Sequence, residues 1–423
     1  MSLPAERKTV WMVAQYAMPP QYESRLRYIK FAHYLGLAGW DVKIFASSFM
    51  HNLDINLIHS KALYTECAYD DLNFVHIRTC GYRGHGLKRL ISTIQFYVRF
   101  LRTTRRLRQT PDVIIGGLVP FGTIINRYAA RVGAPHIVQI QDLWPQSMVD
   151  LGIVGPRNPV MRLLCRAEKK LYRKADAVIF SMPGGRDYIC DKKWNCEQGG
   201  PVDMRKVHYI NNGVDLSDFD LFRDTYILKD PDLNDPQYKK VVYIGSIQMA
   251  NDIGKLIDAA ALLGHRSDVK FLIYGDGSDR DALEHKVRTE GLSNIIFKEK
   301  WIDPVYVPYV LCQSSVNILN YRCGFGRYGG SQSKLFQYMA SGRPICCNIE
   351  MPYCPIKQYD IGIARSFGSP AEYAGAIESL LDLDEEALSG LYRRSREAVR
   401  EFDYPVLTDK LIDIMNKLRQ TII

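Results

Sequence analysis

Short apolar runs alternate with segments of helical period along the chain. Thr9–Gln15 (TVWMVAQ) is a continuous apolar run of strand length. Arg25–Leu37 follows it, with Ile29, Ala32, His33 and Leu35 at helical spacing and Gly36 and Gly39 closing the helix. Asp41–Ala46, Asp112–Ile115, His136–Ile140 and Ala177–Phe180 continue the series as strands. A second series runs through Lys240–Ile244, Lys270–Tyr274, Asn294–Phe297, Ser315–Leu319 and Pro344–Cys347. Strands and helices in strict alternation predict parallel sheets covered by helices.

Segment 216–238 separates the two series. It is rich in Asp, contains Pro231 and Pro236, has no sustained period, and reads as a loop or linker. Tyr404–Arg419 places Val406, Leu407, Leu411, Ile412, Ile414, Met415 and Leu418 on an amphipathic helix. The expected organisation is α/β: a Rossmann-like domain over 1–210, a linker over 211–239 and a second Rossmann-like domain over 240–403. A helix over 404–423 packs across both domains and crosses back to the first. Two such domains are expected to face across a cleft, and sheets of this kind take ligands at the carboxyl ends of their strands. Fold alone names no chemistry.

The length, 423 residues, suits two cores. No run of eighteen apolar residues and no hydrophobic leader with a small-residue cleavage site is present, so neither a membrane span nor a signal peptide is expected. The ten cysteines form no CxxC and no zinc-like spacing, and read as reduced thiols in a cytoplasmic protein. The net charge of +9 is local. Between Asp71 and Asp112 there is no acidic residue, while nine bases occur: Arg78, Arg83, Lys88, Arg89, Arg99, Arg102, Arg105, Arg106 and Arg108. Such a segment suggests an anionic surface or substrate.

Candidate chemistry concentrates at strand ends. In Gly324–Pro344 a glycine-rich loop leads into a helix starting near Ser331 or Ser333, stopped by Gly342 and Pro344. Gly329, Gly330 and the helix N-terminus, with Lys334 and Arg327, form a diphosphate-binding pattern; a serine-capped turn is the plainer alternative. Gly275 and Gly277 follow one strand, and Gly245 and Ser246 follow another, either to leave space for a nucleotide or simply to turn the chain. Asp142 and Trp144 follow His136–Ile140. Asp142 there is a candidate base or sugar-hydroxyl acceptor, or else the cap of the next helix with Pro145 in its first turn. Trp144 offers an apolar face to a sugar.

The order of these segments resembles a family 4 retaining glycosyltransferase of GT-B fold over nearly the whole chain. Arg27-x3-Phe31-Ala32-x2-Leu35-x3-Gly39-Trp40-Asp41-Val42, Pro111-Asp112-Val113-Ile114, Asp142-Leu143-Trp144-Pro145 and Ala175-Asp176-Ala177-Val178-Ile179 match landmarks of the family's first half. Asn212-Gly213-Val214-Asp215, Gly275-Asp276-Gly277 and Ser333-Lys334-Leu335-Phe336-x-Tyr338-Met339-Ala340-x-Gly342-x-Pro344 match its second. The pairing of the DLWP and SKLF segments is most similar to enzymes of bacterial surface-polysaccharide assembly.

The resemblance implies a cytoplasmic or peripheral inner-membrane enzyme. It would move a sugar from a nucleotide-sugar donor, with UDP as the prior, to a polyprenyl-diphosphate-linked glycan in exopolysaccharide, capsule or O-antigen assembly. It implies no metal and no cofactor. Donor binding falls to Gly245, Ser246, Gly275, Gly277, Gly329, Gly330, Ser333 and Gln337, and acceptor binding to Arg27 and Trp144. Catalysis falls to Asp142, Lys334 and Arg327, the last two stabilising the leaving diphosphate.

Three features depart from the family pattern. Its Glu-x7-Glu pair is Gly329 and Gln337 here, and its His before Asp142 is Gln141. The basic residue expected soon after Gly245 is absent from 246–251, leaving Lys255 or Arg322 as replacements. These departures keep a second reading in play: a non-catalytic GT-B partner subunit that binds sugar or lipid and supports another transferase. Leu87–Arg108 forms a helix with Ile91, Ile94, Tyr97, Val98 and Leu101 on one face and bases on the other. It is suited to an anionic inner leaflet or, equally, to packing on a sheet. No nucleic-acid motif supports an RNA or DNA partner, and a sugar-nucleotide epimerase on the same fold is disfavoured by analogy alone.

Overall fold

The computed structural model describes residues 8–23, 27–51, 53–84, 86–150, 152–322 and 326–422. The expected helix start at Arg25, and Cys323 and Gly324, lie outside the described residues. The chain divides into two units. The first holds the residues up to Ser181, Gly185–Asn211 and the stretch from Tyr404; the second holds Met182–Gly184 and Asn212–Asp403.

The first unit is built on eight strands in the order Val207–Tyr209, Ala177–Phe180, His136–Ile140, Val113–Gly116, Thr9–Val13, Asp41–Ser47, Leu72–Ile77 and Tyr64–Tyr69. All pairs are parallel except the last, which is antiparallel. Alternation within Thr9–Val13 shows how the sheet is covered. Val10 and Met12 enter one core with Phe31 and Leu35 of helix Arg27–Leu37, while Trp11 and Val13 enter the other with Phe96, Tyr97 and Phe100 of helix Leu87–Leu107. The C-terminal helix Tyr404–Ile422 adds Tyr404, Leu407, Leu411, Ile414 and Met415 to the first of these cores, with Tyr404 edge-on to Phe31 at 5.7 Å.

In the second unit six parallel strands run in the order Ile295–Phe297, Val269–Tyr274, Lys239–Ile244, Val316–Leu319, Ile345–Cys347 and Gly362–Ala364. Here too the faces alternate. Val241 and Tyr243 pack with Leu256, Ile257 and Ile377, and Val242 packs with Leu233, Leu272 and Val310. The unit's first strand, Lys239–Ile244, lies between the second and the fourth. Successive crossovers leave it in opposite directions, the topological position at which open parallel sheets take ligands.

The reading of 216–238 as a loop is corrected. Helices occupy Leu216–Thr225 and Pro231–Asn234, and two of the aspartates that disguised them are their caps. Asp215 accepts from the Asp218 N–H, and Asp230 from those of Asp232 and Leu233.

Candidate functional site

The second unit assembles a cationic site at the carboxyl ends of its strands. Helix Ser333–Ser341 starts there with no side-chain cap on its N-terminus, and buries Leu335, Phe336, Tyr338 and Met339. That face fixes the helix and leaves Ser333, Lys334 and Gln337 on its less buried side. Asn212 steadies the entry by donating to the Ser331 carbonyl at 2.6 Å.

Lys334 is partly buried. Its ammonium donates to Tyr243 Oη at 3.3 Å and lies 4.7 Å from the centre of that ring. No carboxylate among the described residues pairs with it, and desolvation pushes its pKa down to about 8. Gly245 makes the room: a Cβ there would sit 2.7 Å from the Lys334 Nζ. Tyr243 in turn donates to the Ser246 carbonyl at 2.6 Å, and Asn251 grips the Ser246 carbonyl and hydroxyl at 2.8 Å each. The sequence places Tyr243 beside Gly245 and Ser246 at a strand end but marks neither it nor Asn251 for this role. Tyr243 reads there as one more core residue of an apolar strand.

The other glycines serve the backbone. A Cβ on Gly275 would lie 1.8 Å from the Gly245 carbonyl oxygen, and one on Gly277 would lie 2.1 Å from that of Ile247. These residues let two strand-end loops press together, bonded from Ile247 N–H to the Asp276 carbonyl at 2.8 Å. Gly329 takes φ +84°, and Gly330 packs against Met351 and Tyr321. Arg327 is exposed, with its guanidinium 5.3 Å from the Tyr328 ring centre. The basic replacements differ. Lys255 is exposed and pairs with Asp252 at 3.1 Å, whereas Arg322 lines a cavity.

In the first unit Asp142 and Trp144 are both exposed. The Asp142 carboxylate makes no hydrogen bond to described residues, so it does not cap helix Gln146–Asp150. Although it keeps access to solvent, desolvation by the surrounding protein raises its pKa. Arg27 is a different case. It is buried, and donates to the carbonyls of Ile210 (2.7 Å) and Asn211 while stacking on Phe31. Desolvation lowers its pKa to about 10. The expectation that Arg27 binds an acceptor gives way to a strut that ties helix Arg27–Leu37 to the end of the unit.

The basic helix Leu87–Leu107 has two apolar faces. Phe96, Tyr97 and Phe100 are buried, whereas Leu87, Leu90, Ile91, Ile94 and Val98 are 42–79% exposed. Tyr97 therefore does not share a face with Ile91, Ile94 and Val98 as the periodicity suggested. No described helix is long and apolar enough to cross a membrane. Among the described residues no group of three His, Cys, Asp or Glu side chains is placed to hold a metal, and nine cysteines are free.

Two family models match in tandem: a glycosyl transferase 4-like domain over residues 30–213 and glycosyl transferases group 1 over 238–382. The chain is 24% identical over 325 residues to a Pseudomonas aeruginosa protein described as "probable glycosyltransferase WbjE", covering 73% of this chain and 74% of the relative. Among solved structures, the E. coli trehalose-6-phosphate protein bound with UDP-2-fluoro glucose aligns over 98% of this chain and 99% of its own, with TM-score 0.73 and 10% identity. Anabaena Alr3699/HepE in complex with UDP and glucose aligns over 97% and 100%, with TM-score 0.63 and 13% identity. At those identities the solved structures speak for the fold, and the family models speak for the family: the chain belongs to the family 4 glycosyltransferases of GT-B fold.

Proposed function

We propose that this protein is a retaining, metal-independent glycosyltransferase. Its donor is a UDP-sugar and its acceptor a polyprenyl-diphosphate-linked glycan of a cell-surface polysaccharide. One observation carries the reading: Lys334, a partly desolvated ammonium with no counter-charge among the described residues, stands in the first turn of helix Ser333–Ser341 against Gly245. A lysine held this way gains a partner when an anion arrives, and the uncapped helix N-terminus favours the same charge. The names of the relative and of the UDP-bound neighbours support a nucleotide-sugar donor.

In the proposed reaction the bond from the sugar's anomeric carbon to the diphosphate oxygen breaks. The acceptor hydroxyl oxygen bonds to that carbon from the same face. Charge grows on the departing diphosphate, where Lys334 and the N–H groups of the first helical turn stabilise it by several kcal/mol, each donor contributing about 2.7–4 kcal/mol in comparable sites. Arg327 and Ser333 flank the diphosphate, and Gln337 hydrogen-bonds the ribose. Asp142, whose raised pKa suits a base, is assigned to receive the acceptor proton, and Trp144 to stack on an acceptor sugar.

The exposed apolar face of Leu87–Leu107 is assigned to an anionic inner leaflet. Leu87, Leu90, Ile91, Ile94 and Val98 enter the headgroup boundary, and Lys88, Arg102, Arg105 and Arg106 contribute about 1 kcal/mol each near the surface.

The first test is a thermal-shift panel of UDP, GDP, ADP, CMP and dTDP with and without EDTA. A selective, EDTA-insensitive rise is expected with UDP. No rise with any nucleotide would overturn the donor assignment. UDP binding without release of UDP from any UDP-sugar and lipid-linked acceptor would favour the non-catalytic partner. Cosedimentation with phosphatidylglycerol vesicles, reduced by Ile94→Glu without a change in melting temperature, tests the membrane face.

A further inference from the structure

One face of the first unit's sheet carries a layer of three helices whose outer charge is of a single sign. Three successive crossovers step the same way along the sheet, from Leu72–Ile77 to Val113–Gly116, then to His136–Ile140, then to Ala177–Phe180. Right-handed crossovers that step the same way lie on the same face, so helices Leu87–Leu107, Gly122–Val132 and Pro159–Lys174 stand side by side and run in the same direction. Phe100 meets Tyr128 edge-on at 5.7 Å between the first two, and a Cβ on Gly122 would lie 2.9 Å from the Leu171 side chain between the last two. Tyr97 Oη accepts from the N–H of Leu118, just past strand Val113–Gly116, and Gly122 follows in the same loop. Tyr97 and Leu171 thus mark the level of the strand ends, and roughly three turns of each outer helix precede that mark, beside the loops of the carboxyl rim.

Glu168 is the one acidic residue of these three helices, and it is fully buried, accepting from Tyr172 Oη at 2.7 Å and from Tyr188 Oη at 3.0 Å. The single-sign face ends at the next helix, Gly185–Asp191, which carries Asp187 and Asp191. In Pro159–Lys174 the buried stripe is Met161, Glu168, Leu171 and Tyr172. Away from it stand Arg162, Leu163, Arg166, Lys170, Arg173 and Lys174, all exposed. A single exposed leucine needs no explanation. Here Leu163, 63% exposed, and Val160, 62%, repeat a layout. In Leu87–Leu107 the exposed aliphatics from Leu87 to Val98 come first and Arg102, Arg105 and Arg106 follow. In Pro159–Lys174 Val160 and Leu163 come first and Arg166, Lys170 and Arg173 follow. Both apolar ends therefore lie along the carboxyl rim, with the bases behind them. The helix between adds exposed Arg127 and Arg131, and Leu118 in the loop before it is 41% exposed.

We infer that helix Pro159–Lys174 is a second membrane-binding element: Val160 and Leu163 enter the same anionic leaflet as Ile91 and Ile94, and the bases of all three helices meet lipid phosphates. The inference rests on the membrane assignment proposed above. A nucleic acid suits the charge but has no use for an aliphatic rim. Nor is there a ring for a base to stack on, since the aromatics of the three helices are buried or, in the case of Tyr128, half-buried and stacked on Trp11 at 5.9 Å. Two anchors on one rim fix an orientation that a single helix leaves free to roll. The loop that carries Asp142 and Trp144 runs between strand His136–Ile140 and helix Pro159–Lys174, so that orientation holds it at headgroup level, where the diphosphate of a lipid-linked acceptor lies.

Flotation of the full chain with vesicles of phosphatidylglycerol and phosphatidylcholine tests it. Arg166→Ala combined with Lys170→Ala is expected to weaken binding about 10- to 30-fold. Lys410→Ala combined with Lys417→Ala removes the same charge from the C-terminal helix, on the opposite face of the sheet, and should weaken binding only about twofold. Leu163→Glu should weaken binding about 10-fold without a change in melting temperature, since Leu163 is exposed in the free protein. Wild-type binding in Leu163→Glu and in the Arg166, Lys170 pair, with binding lost in Ile94→Glu, would overturn the inference and leave a single-helix anchor. Equal losses from the two alanine pairs would also overturn it, since net charge rather than one face would then be read. Displacement from the vesicles by a single-stranded oligonucleotide at roughly 0.2 M salt would assign the face to nucleic acid and overturn it too. A wild type that stays off the vesicles would overturn the membrane assignment, and the inference with it.

Discussion

Lys298 and Lys334 are two lysines of the second unit with opposite electrostatic fates. Lys298 Nζ lies 2.7 Å from both Asp230 Oδ1 and Asp232 Oδ2. Lys270 joins Asp232 at 2.9 Å, and Tyr274 donates to Asp230 at 2.7 Å, so two cations face two anions. Desolvation acts to lower the Lys298 pKa, but the two carboxylates outweigh it and the pKa rises. Among the described residues Lys334 meets a tyrosine hydroxyl and no carboxylate, and desolvation takes its pKa down to about 8. Burial is therefore not what marks a site. The missing counter-charge is, because a compensated lysine has nothing left to offer a ligand.

The same substitution at the two positions should act with opposite sign. Lys298→Met leaves Asp230 and Asp232 facing each other without that cation. It should cost about 3 kcal/mol, lowering the melting temperature by roughly 6–12 °C in a thermal scan. Lys334→Met should weaken UDP binding about 10- to 100-fold by calorimetry. The unliganded Lys334→Met protein should melt slightly higher than wild type, since it no longer holds an unpaired ammonium out of water. Equal destabilisation by the two substitutions would break the comparison.

The pH dependence follows from the Lys334 shift. Its folded pKa of about 8 lies below its ordinary 10.5, so between these values the unfolded chain holds more protons. The Lys334 contribution to stability is therefore unfavourable below pH 8 and rises towards pH 10.5. UDP affinity should move the other way, falling as the pH passes about 8. Lys334→Met should flatten both trends, read by melting temperature and by calorimetry. At the smallest end, His136 is held neutral, donating from Nε2 to the Gly116 carbonyl at 2.7 Å, and desolvation lowers its pKa to about 4. Its contribution to stability is present above the ordinary value of 6.5 and is lost as the pH falls towards 4. Unfolding measured at pH 4.5 and 7 in wild type and His136→Gln should show that slope diminish in the variant.

Much of the architecture was legible because buried parallel strands must be apolar throughout. His136–Ile140 and Ala177–Phe180 keep the bounds their sequences suggest. The hairpin Tyr64–Tyr69 with Leu72–Ile77 was not read. Its outer strand has no buried residue and lacks an apolar run, and its turn places Asp70 in the left-handed region. The site was half legible. Lys334 stands in a recognisable segment, but that no described carboxylate pairs with it is a fact of three dimensions. The acids that neutralise Lys298 lie 68 and 66 positions away, and nothing local tells the two lysines apart. Arg27 misled for the same reason: its carbonyl partners are more than 180 residues distant.

The pressed loops after Lys239–Ile244 and Val269–Tyr274 bear on anyone redesigning this enzyme. With Gly275 and Gly277 set against the carbonyls of Gly245 and Ile247, neither loop has a shape of its own to exchange. A graft of residues 245–252 from another transferase would carry carbonyls placed for a different neighbour, so these residues are transplantable only as a matched pair of loops with 275–279.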